Sequence, residues 1–525
     1  MEKISKILKH PLTWIIFLGF SFRFYGVKNF PVLHDELMSI LDGVNKTKES
    51  LLHFFFIAPM ENSLGIMPLY FWVERFFTDI FGQNNWGLRL FPLISGVLTI
   101  ALAYWVIKKQ FNKNLAILSS FIVAFSDIFL WTTSKAQFFE VILVPLSFLV
   151  FYFLTSENKK KFYFASLLLA LMLFTYFGKG LVWIACSLVW YTLVKIFDFV
   201  RLKTKWPEVI LTTKKELLQF SSFFWIPLIW IIAAQILVFS KGPIQNAVGL
   251  GEIDSVWKIL FITTFGYGFL TKQFLAGSPK GAFLVFDNLH AWPVTGLLFI
   301  PFLFGLGILI YRTILDWKKI NTPLFKRDSF LLIFALIPLL YIISKGIISV
   351  RFHLLYFLPF VIITSIGLSK AFSLFEKRKI LFFGFILSLG IYGAYISSWE
   401  NWYYSVFNWD FFYKLSATII TLIILYFMIG VFTKIDKKIF LTSSLGIFLF
   451  FLIIINFFHG PLIWGKKAAW EPAYDNKLAP APEYYIEGNE ESVINFAFEK
   501  NNPDICYKLP EKWKNICLER FGLIK

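Results

Sequence analysis

"LRLFPLISGVLTIALAYWVIKKQFNK", residues 88–113, decides what kind of protein this is. Its first twenty residues, 88–107, carry one charged side chain, Arg89, and then Lys108, Lys109 and Lys113 arrive together. A helix of that length reaches about 30 Å, the thickness of a bilayer's hydrocarbon, and the lysines mark where it meets water. Stretches of the same kind recur at 11–25, 115–131, 138–154, 162–177, 181–200, 220–239, 292–311, 330–343, 352–368, 380–396, 415–432 and 440–458, which makes thirteen in all. With 57% hydrophobic and 16% charged residues over 525 positions, including 66 Phe, the chain has more apolar surface than one soluble core could hide. An all-α polytopic membrane protein of about thirteen transmembrane helices is expected. The first stretch lacks a small-residue cleavage site and ends around Arg23, so it reads as a retained span rather than a signal peptide.

The net charge of +18 resolves on the same map. Basic residues crowd the exit of every even-numbered span: Lys108, Lys109 and Lys113, then Lys159 to Lys161, and Arg201, Lys203, Lys205, Lys214 and Lys215. Arg312, Lys318, Lys319, Lys326 and Arg327 follow the eighth span, Lys377 to Lys379 bracket Arg378 after the tenth, and Lys434, Lys437 and Lys438 follow the twelfth. By the positive-inside bias those loops and the amino terminus face the cytoplasm, and an odd span count puts the carboxyl terminus outside. The charge therefore belongs to the membrane interface, and no nucleic-acid partner is expected. The bias points to a multi-pass protein of the plasma (inner) membrane.

Residues 1–458 form a transmembrane domain with two long outer loops, 27–87 and 240–291, and residues 459–525 form a polar, proline-punctuated extracytoplasmic segment. The first loop contains a helical pattern in which Leu69, Trp72, Phe76 and Ile80 face away from Glu74, Arg75 and Asp79, as in helices that lie in the interface. Cys186 falls inside the sixth span, whereas Cys506 and Cys517 share the terminal segment, where an oxidising compartment lets them form a disulfide.

The first loop also holds "NFPVLHDELMSI", residues 29–40, with Asp35 and Glu36 side by side among apolar neighbours. Most acidic residues in outer loops are simply solvated. A carboxylate held against an apolar surround at the bilayer edge is instead partly desolvated and can take a proton from a hydroxyl, which is the work of a general base.

On these and four further motifs the chain resembles the GT-C membrane glycosyltransferases, in particular the bacterial branch similar to protein O-mannosyltransferases and aminoarabinose transferases. The motifs are Arg23 followed by Asp35 and Glu36; "PLY" at Pro68, Leu69 and Tyr70; "IFGQNNWGLRLFP" with Gly82, Arg89 and Pro92; Lys179 and Gly180 in "TYFGKGLVW"; and "RFHLLYFLP" with Arg351, His353, Tyr356 and Pro359. Gln137 and Phe139 stand where many relatives carry Arg and Tyr, so neither Lys135 nor Gln137 is assigned a role. The resemblance implies a GT-C fold and an inverting transfer of sugar from a polyprenyl-phosphate donor to a hydroxyl of a protein, lipid or glycan acceptor on the outer face. It implies Asp35 and Glu36 as catalytic acids, Lys179, Arg351 and Arg89 as phosphate ligands, and Tyr70, His353 and Tyr356 as substrate contacts.

Physical chemistry supports the same roles on its own terms. Lys179 and Arg351 open helices on the outer side, where unpaired backbone N–H groups already favour an anion, although long cations there also snorkel to lipid headgroups. His353 and Tyr356 are three apart and share a helix face. His34 beside the acids suggests a metal, yet adjacent residues rarely chelate together, so no cofactor is expected and a divalent ion is not favoured. "SSWENWYYSVFNWDFF", residues 397–412, reads as an aromatic belt before it reads as a sugar platform. Two rival functions remain open. A transporter or flippase of a lipid-linked glycan or small solute would bury charge near the midplane and show paired repeats; a membrane glycan polymerase or ligase would share the chemistry with a larger donor.

Overall fold

The structure is a computed structural model that describes residues 10–29, 42–57, 68–82, 84–134, 140–158, 160–202, 206–241, 244–245, 252–253, 255, 293–345, 354–377, 494, 497–498, 503–509 and 511–523. Ten of the thirteen apolar stretches fall on described helices, and those at 380–396, 415–432 and 440–458 lie outside the described residues. Four of the described helices are long and apolar enough to cross a membrane, or five if one bent pair is counted as a span.

Helix α1 (Pro11–Asn29) opens on a proline, whose missing N–H is harmless in a first turn. Next come a short α2 (Asp42–Lys46), a π-helical turn at His53–Ile57, and α3 (Pro68–Phe81). Gly82 ends α3 in the left-handed region at φ 84°, and the Asn84 side chain accepts from the Trp86 and Gly87 N–H groups to start α4 (Asn85–Gln110). That corner is tight: a Cβ on Gly87 would sit 1.8 Å from the Gly82 carbonyl oxygen. Asn112 repeats the device, accepting from the Leu115 N–H at the start of α5 (Lys113–Phe125).

Two expected spans are broken. The stretch 115–131 is not one helix: α5 stops at Phe125, Ser126 is extended, and α6 (Asp127–Thr132) begins anew. Residues 220–239 likewise divide between α10 (Trp206–Ser221) and α11 (Trp225–Leu237), which meet at 49°. Between them run α7 (Glu140–Thr155), α8 (Lys161–Thr175) and α9 (Phe177–Leu202). A two-residue antiparallel ladder, β1 (Ile244–Gln245) against β2 (Glu252–Ile253), lies in the outer loop 240–291 and is the one strand pairing among the described residues. Then follow α12 (Pro293–Ile310), α13 (Thr322–Lys345) and α14 (Phe357–Lys377).

The core is aromatic and close-packed. Trp183 and Trp190 on α9 meet Phe334 and Phe330 on α13, with ring centroids 4.7 and 5.8 Å apart. Ser119 on α5 donates to Ser365 on α14 at 2.8 Å, an interhelical hydrogen bond between small residues of the kind that holds helices together in lipid. Helices α12 and α14 approach closer still. A Cβ on Gly305 would lie 2.1 Å from the Ile363 carbonyl oxygen, and one on Gly367 would lie 2.0 Å from that of Pro301.

One end of the bundle is basic and clasped. Arg327 at the start of α13 donates to the Gln110 carbonyl at the end of α4, Arg312 pairs with the buried Asp328, and the Trp190 indole donates to the Lys326 carbonyl at 2.9 Å. Near the carboxyl terminus a 3-10 turn (Pro503–Lys508) and α15 (Glu511–Arg520) are joined by a Cys506–Cys517 disulfide.

The glycine crossing yields a controlled test. Gly367→Ala must push two backbones apart and is expected to destabilise the detergent-solubilised protein by about 1–3 kcal/mol, read as a lower thermal midpoint. Gly307→Ala, where an added Cβ meets nothing within 4 Å, is expected to leave that midpoint unchanged or raise it slightly.

Candidate functional site

Asp35, Glu36, Arg351 and His353 lie outside the described residues, as do His34, Lys135, Gln137 and Phe139. The structure places Tyr70, Arg89, Lys179 and Tyr356, together with Arg23, at the end of the bundle opposite the basic clasp.

Lys179 stands in the first turn of α9, 1% exposed, with its ammonium 4.8 Å from the centre of the Tyr176 ring. Its seat is built by Gly180. A Cβ there would come within 2.8 Å of the backbone of Leu173, so only glycine lets α9 fold back this closely on α8. A cation at the amino end of a long helix works against the helix dipole, and an anion placed there gains from both at once.

Tyr70 is buried on α3, edge-on to Phe71 and Phe91. The helix it rides on is turned as an interfacial helix should be, with Phe76 60% and Ile80 57% exposed on its apolar side. One residue departs from the pattern: Glu74, grouped by sequence with Arg75 and Asp79 as solvated, is fully buried on the same face as Tyr70 and Thr78. Periodicity alone assigned this carboxylate, four residues after Tyr70, to the wrong side. Helix α3 is joined to the Lys179 hairpin by Trp72 and Phe174, whose centroids are 6.1 Å apart.

Arg89, also buried, donates from Nη1 to the Val27 carbonyl at 3.1 Å and so grips the last turn of α1. Arg23 grips the same helix from within. It donates to Thr133 Oγ1 at 2.8 Å, to the Gly19 and Ala124 carbonyls at 2.9 and 3.0 Å, and to that of Val123 at 3.2 Å, with its guanidinium 5.4 Å from the centre of the Phe129 ring. Phe129 in turn stacks on Phe357, 4.8 Å between centroids, next to the buried Tyr356 in the turn that opens α14. The helix that leads to Asp35 and the one that follows Arg351 are thus tied through a single ring. Among the described residues, no three His, Cys, Asp or Glu side chains gather as a metal site would need.

Residues 66–223 match the family model of dolichyl-phosphate-mannose-protein mannosyltransferase. That span includes Tyr70, Arg89 and Lys179 and stops short of Asp35 on one side and Arg351 on the other. No curated protein matches the sequence. Among solved structures the chain is similar to ArnT from Cupriavidus metallidurans in the apo state, with TM-score 0.52 and 12% identity over 90% of this chain and 80% of that one. It is similar also to the same protein bound to undecaprenyl phosphate, with TM-score 0.50 and 11% identity over 90% and 81%. At such identity the likeness is one of fold.

The seat of Lys179 can be read directly by chemical labelling. Under a brief pulse of an amine-acylating reagent, Lys179 is expected to stay unmodified while Lys319, with 82% of its side chain exposed, reacts fully. In Gly180→Val the hairpin must open, and mass spectrometry is expected to find Lys179 acylated at least several-fold faster; unchanged protection would show that the glycine does not seat it.

Proposed function

We propose that this chain is a GT-C membrane glycosyltransferase that moves one sugar from a polyprenyl phosphate to a hydroxyl-bearing acceptor on the outer face of the plasma membrane, with inversion, a reading supported by the partial family match and the shared fold. The observation that carries the reading is Lys179: a buried cation at a helix amino terminus, at the end of the bundle where the loop bearing Asp35 and Glu36 departs. An outer-face site meets no nucleotide sugars, so the donor must be one the membrane can present, and the solved relative bound to undecaprenyl phosphate supports that class.

In this mechanism Asp35 accepts the proton of the acceptor hydroxyl as its oxygen attacks the anomeric carbon from the side opposite the phosphate. The new carbon–oxygen bond forms as the bond to the phosphate oxygen breaks, and the electron pair leaves with the polyprenyl phosphate. Developing charge on that leaving group is met by Lys179, in the first turn of α9, and by Arg351, six residues ahead of α14 in the sequence. Arg89 has one guanidinium N–H engaged with Val27, so phosphate contact falls first to the other two and Arg89 assists from behind. Glu36 orients the acceptor, while Tyr70, His353 and Tyr356 line the donor. The basic clasp faces the cytoplasm by the positive-inside bias, which puts the amino terminus inside and the carboxyl terminus, with its disulfide, outside. The phosphate charge is balanced by protein cations, and the step as written needs no metal.

Membranes supplied with a panel of undecaprenyl-phosphate monosaccharides test this. Asp35→Asn is expected to abolish acceptor-dependent release of undecaprenyl phosphate at normal expression. Lys179→Ala is expected to lower turnover by roughly 30- to 1000-fold, the equivalent of about 2–4 kcal/mol of transition-state stabilisation. Wild-type turnover in Asp35→Asn would remove the base assignment and with it the mechanism.

A further inference from the structure

We propose that Arg23, seated by Gly96 and Thr133, is a positioning residue that fixes where the catalytic loop leaves the membrane. The inference rests on the role given above to Asp35. It starts from the break at Ser126. An uninterrupted helix would satisfy the Val123 and Ala124 carbonyls with the N–H groups of residues 127 and 128, but α5 ends at Phe125 and those acceptors are released inside an apolar layer. Arg23 answers both of them, Nη2 to Val123 and Nη1 to Ala124, while its Nε donates to Thr133 Oγ1 beyond the break.

Its hydrogen-bond acceptors in the structure are neutral oxygens: three backbone carbonyls and a hydroxyl. This is the geometry of a planar fork used as a helix cap, which the single ammonium of a lysine cannot reproduce across the same span. The seat is also closed from the α4 side. A Cβ on Gly96 would stand 2.7 Å from Arg23 Nε and 2.7 Å from Thr133 Cβ, so that glycine is the space the clamp occupies.

What the clamp holds is a covalent tether. Asp35 follows the last residue of α1, Asn29, by six positions, so its Cα stays within about 20 Å of that helix end wherever the loop runs. With Arg23 bound to the α5–α6 break and Arg89 bound to Val27, the end of α1 has little freedom to translate or rotate. Through Phe129 and Phe357 the same clamp touches the start of α14, six residues after Arg351. Acid and cation are thereby referred to one rigid point, and a shift of about 1 Å there is enough to lose on the order of a hundredfold in rate.

The test uses full-length Gly96→Ala, Thr133→Val and Arg23→Lys in nanodiscs, with the undecaprenyl-phosphate sugar that the wild type turns over and Asp35→Asn as the reference. Positioning predicts that kcat per folded enzyme falls about 10- to 100-fold in Gly96→Ala and in Arg23→Lys, and several-fold in Thr133→Val, while donor KM stays within about twofold. A second readout needs no turnover: maleimide labelling of a Leu33→Cys probe, with Cys186 buried and Cys506 and Cys517 paired, should change rate in the same three backgrounds. Wild-type kcat in Gly96→Ala and Thr133→Val overturns the proposal, and so does a rise in donor KM that matches the fall in kcat/KM, which would make Arg23 a donor ligand. If Asp35→Asn is inactive and the clamp variants are normal, only this inference fails; if Asp35→Asn is active, the mechanism and the inference fall together.

Discussion

Backbone groups inside hydrocarbon have no water to turn to, so every irregularity in a membrane helix must be closed by the protein itself. This chain has two such breaks among its described spans and a π-helical turn in the outer loop 27–87, and each has a named donor or acceptor. At Ser126 the closing group is Arg23. Between α10 and α11 the Phe223 N–H is taken up by Ser166 Oγ at 3.0 Å. In the π-helical turn at His53–Ile57 the Phe54 and Phe55 carbonyls accept from the indoles of Trp72 and Trp230, at 2.9 and 3.0 Å. Residues that composition counts as aromatic filler are, in the last case, hydrogen-bond donors that pin a loop to two helices.

Charge is distributed with the same economy. At the basic end the cations face partners: Arg312 a buried carboxylate, Arg327 a helix carboxyl terminus, where positive charge is favoured. At the other end Arg23 and Arg89 serve carbonyls at the ends of α5 and α1, again the favourable pole. Lys179 is placed differently, at the positive pole of α9. Two arginines obey the dipole rule and one lysine is positioned against it, an arrangement that an added anion would relieve and that accords with the anion-binding role proposed for Lys179.

Much of the fold was legible because hydropathy reports burial in lipid directly. The stretch 88–107 became α4, with Lys108 and Lys109 in its last turn where the sequence put the edge of the apolar layer. The break at Ser126 was missed although "FSD" carries a cap-forming serine and an aspartate inside an apolar run, because averaging over a span hides a single polar step. Glu74 was missed for a related reason: periodicity finds two faces of a helix but not which neighbour each one meets. The Gly305 and Gly367 crossing could not be seen at all, since each glycine clears a backbone about sixty residues away and nothing local distinguishes it from Gly307. Of the site, Lys179 with Gly180 was readable as a motif, and its physical meaning, a hairpin too tight for a side chain, needed coordinates.

The arginine and the break also explain one another. Were residues 113–132 a continuous helix, the Val123 and Ala124 carbonyls would already be satisfied and Arg23 would carry guanidinium N–H groups into an apolar layer without acceptors, at a cost of several kcal/mol. Were Arg23 an apolar residue, the break would leave those carbonyls unanswered at about 1–3 kcal/mol each. Neither feature is stable alone, so the pair acts as one structural unit, and its position is set by both helices rather than by either. That mutual dependence is what makes the end of α1 a fixed reference, from which, in the mechanism proposed, a short tether brings Asp35 toward Lys179 on another hairpin.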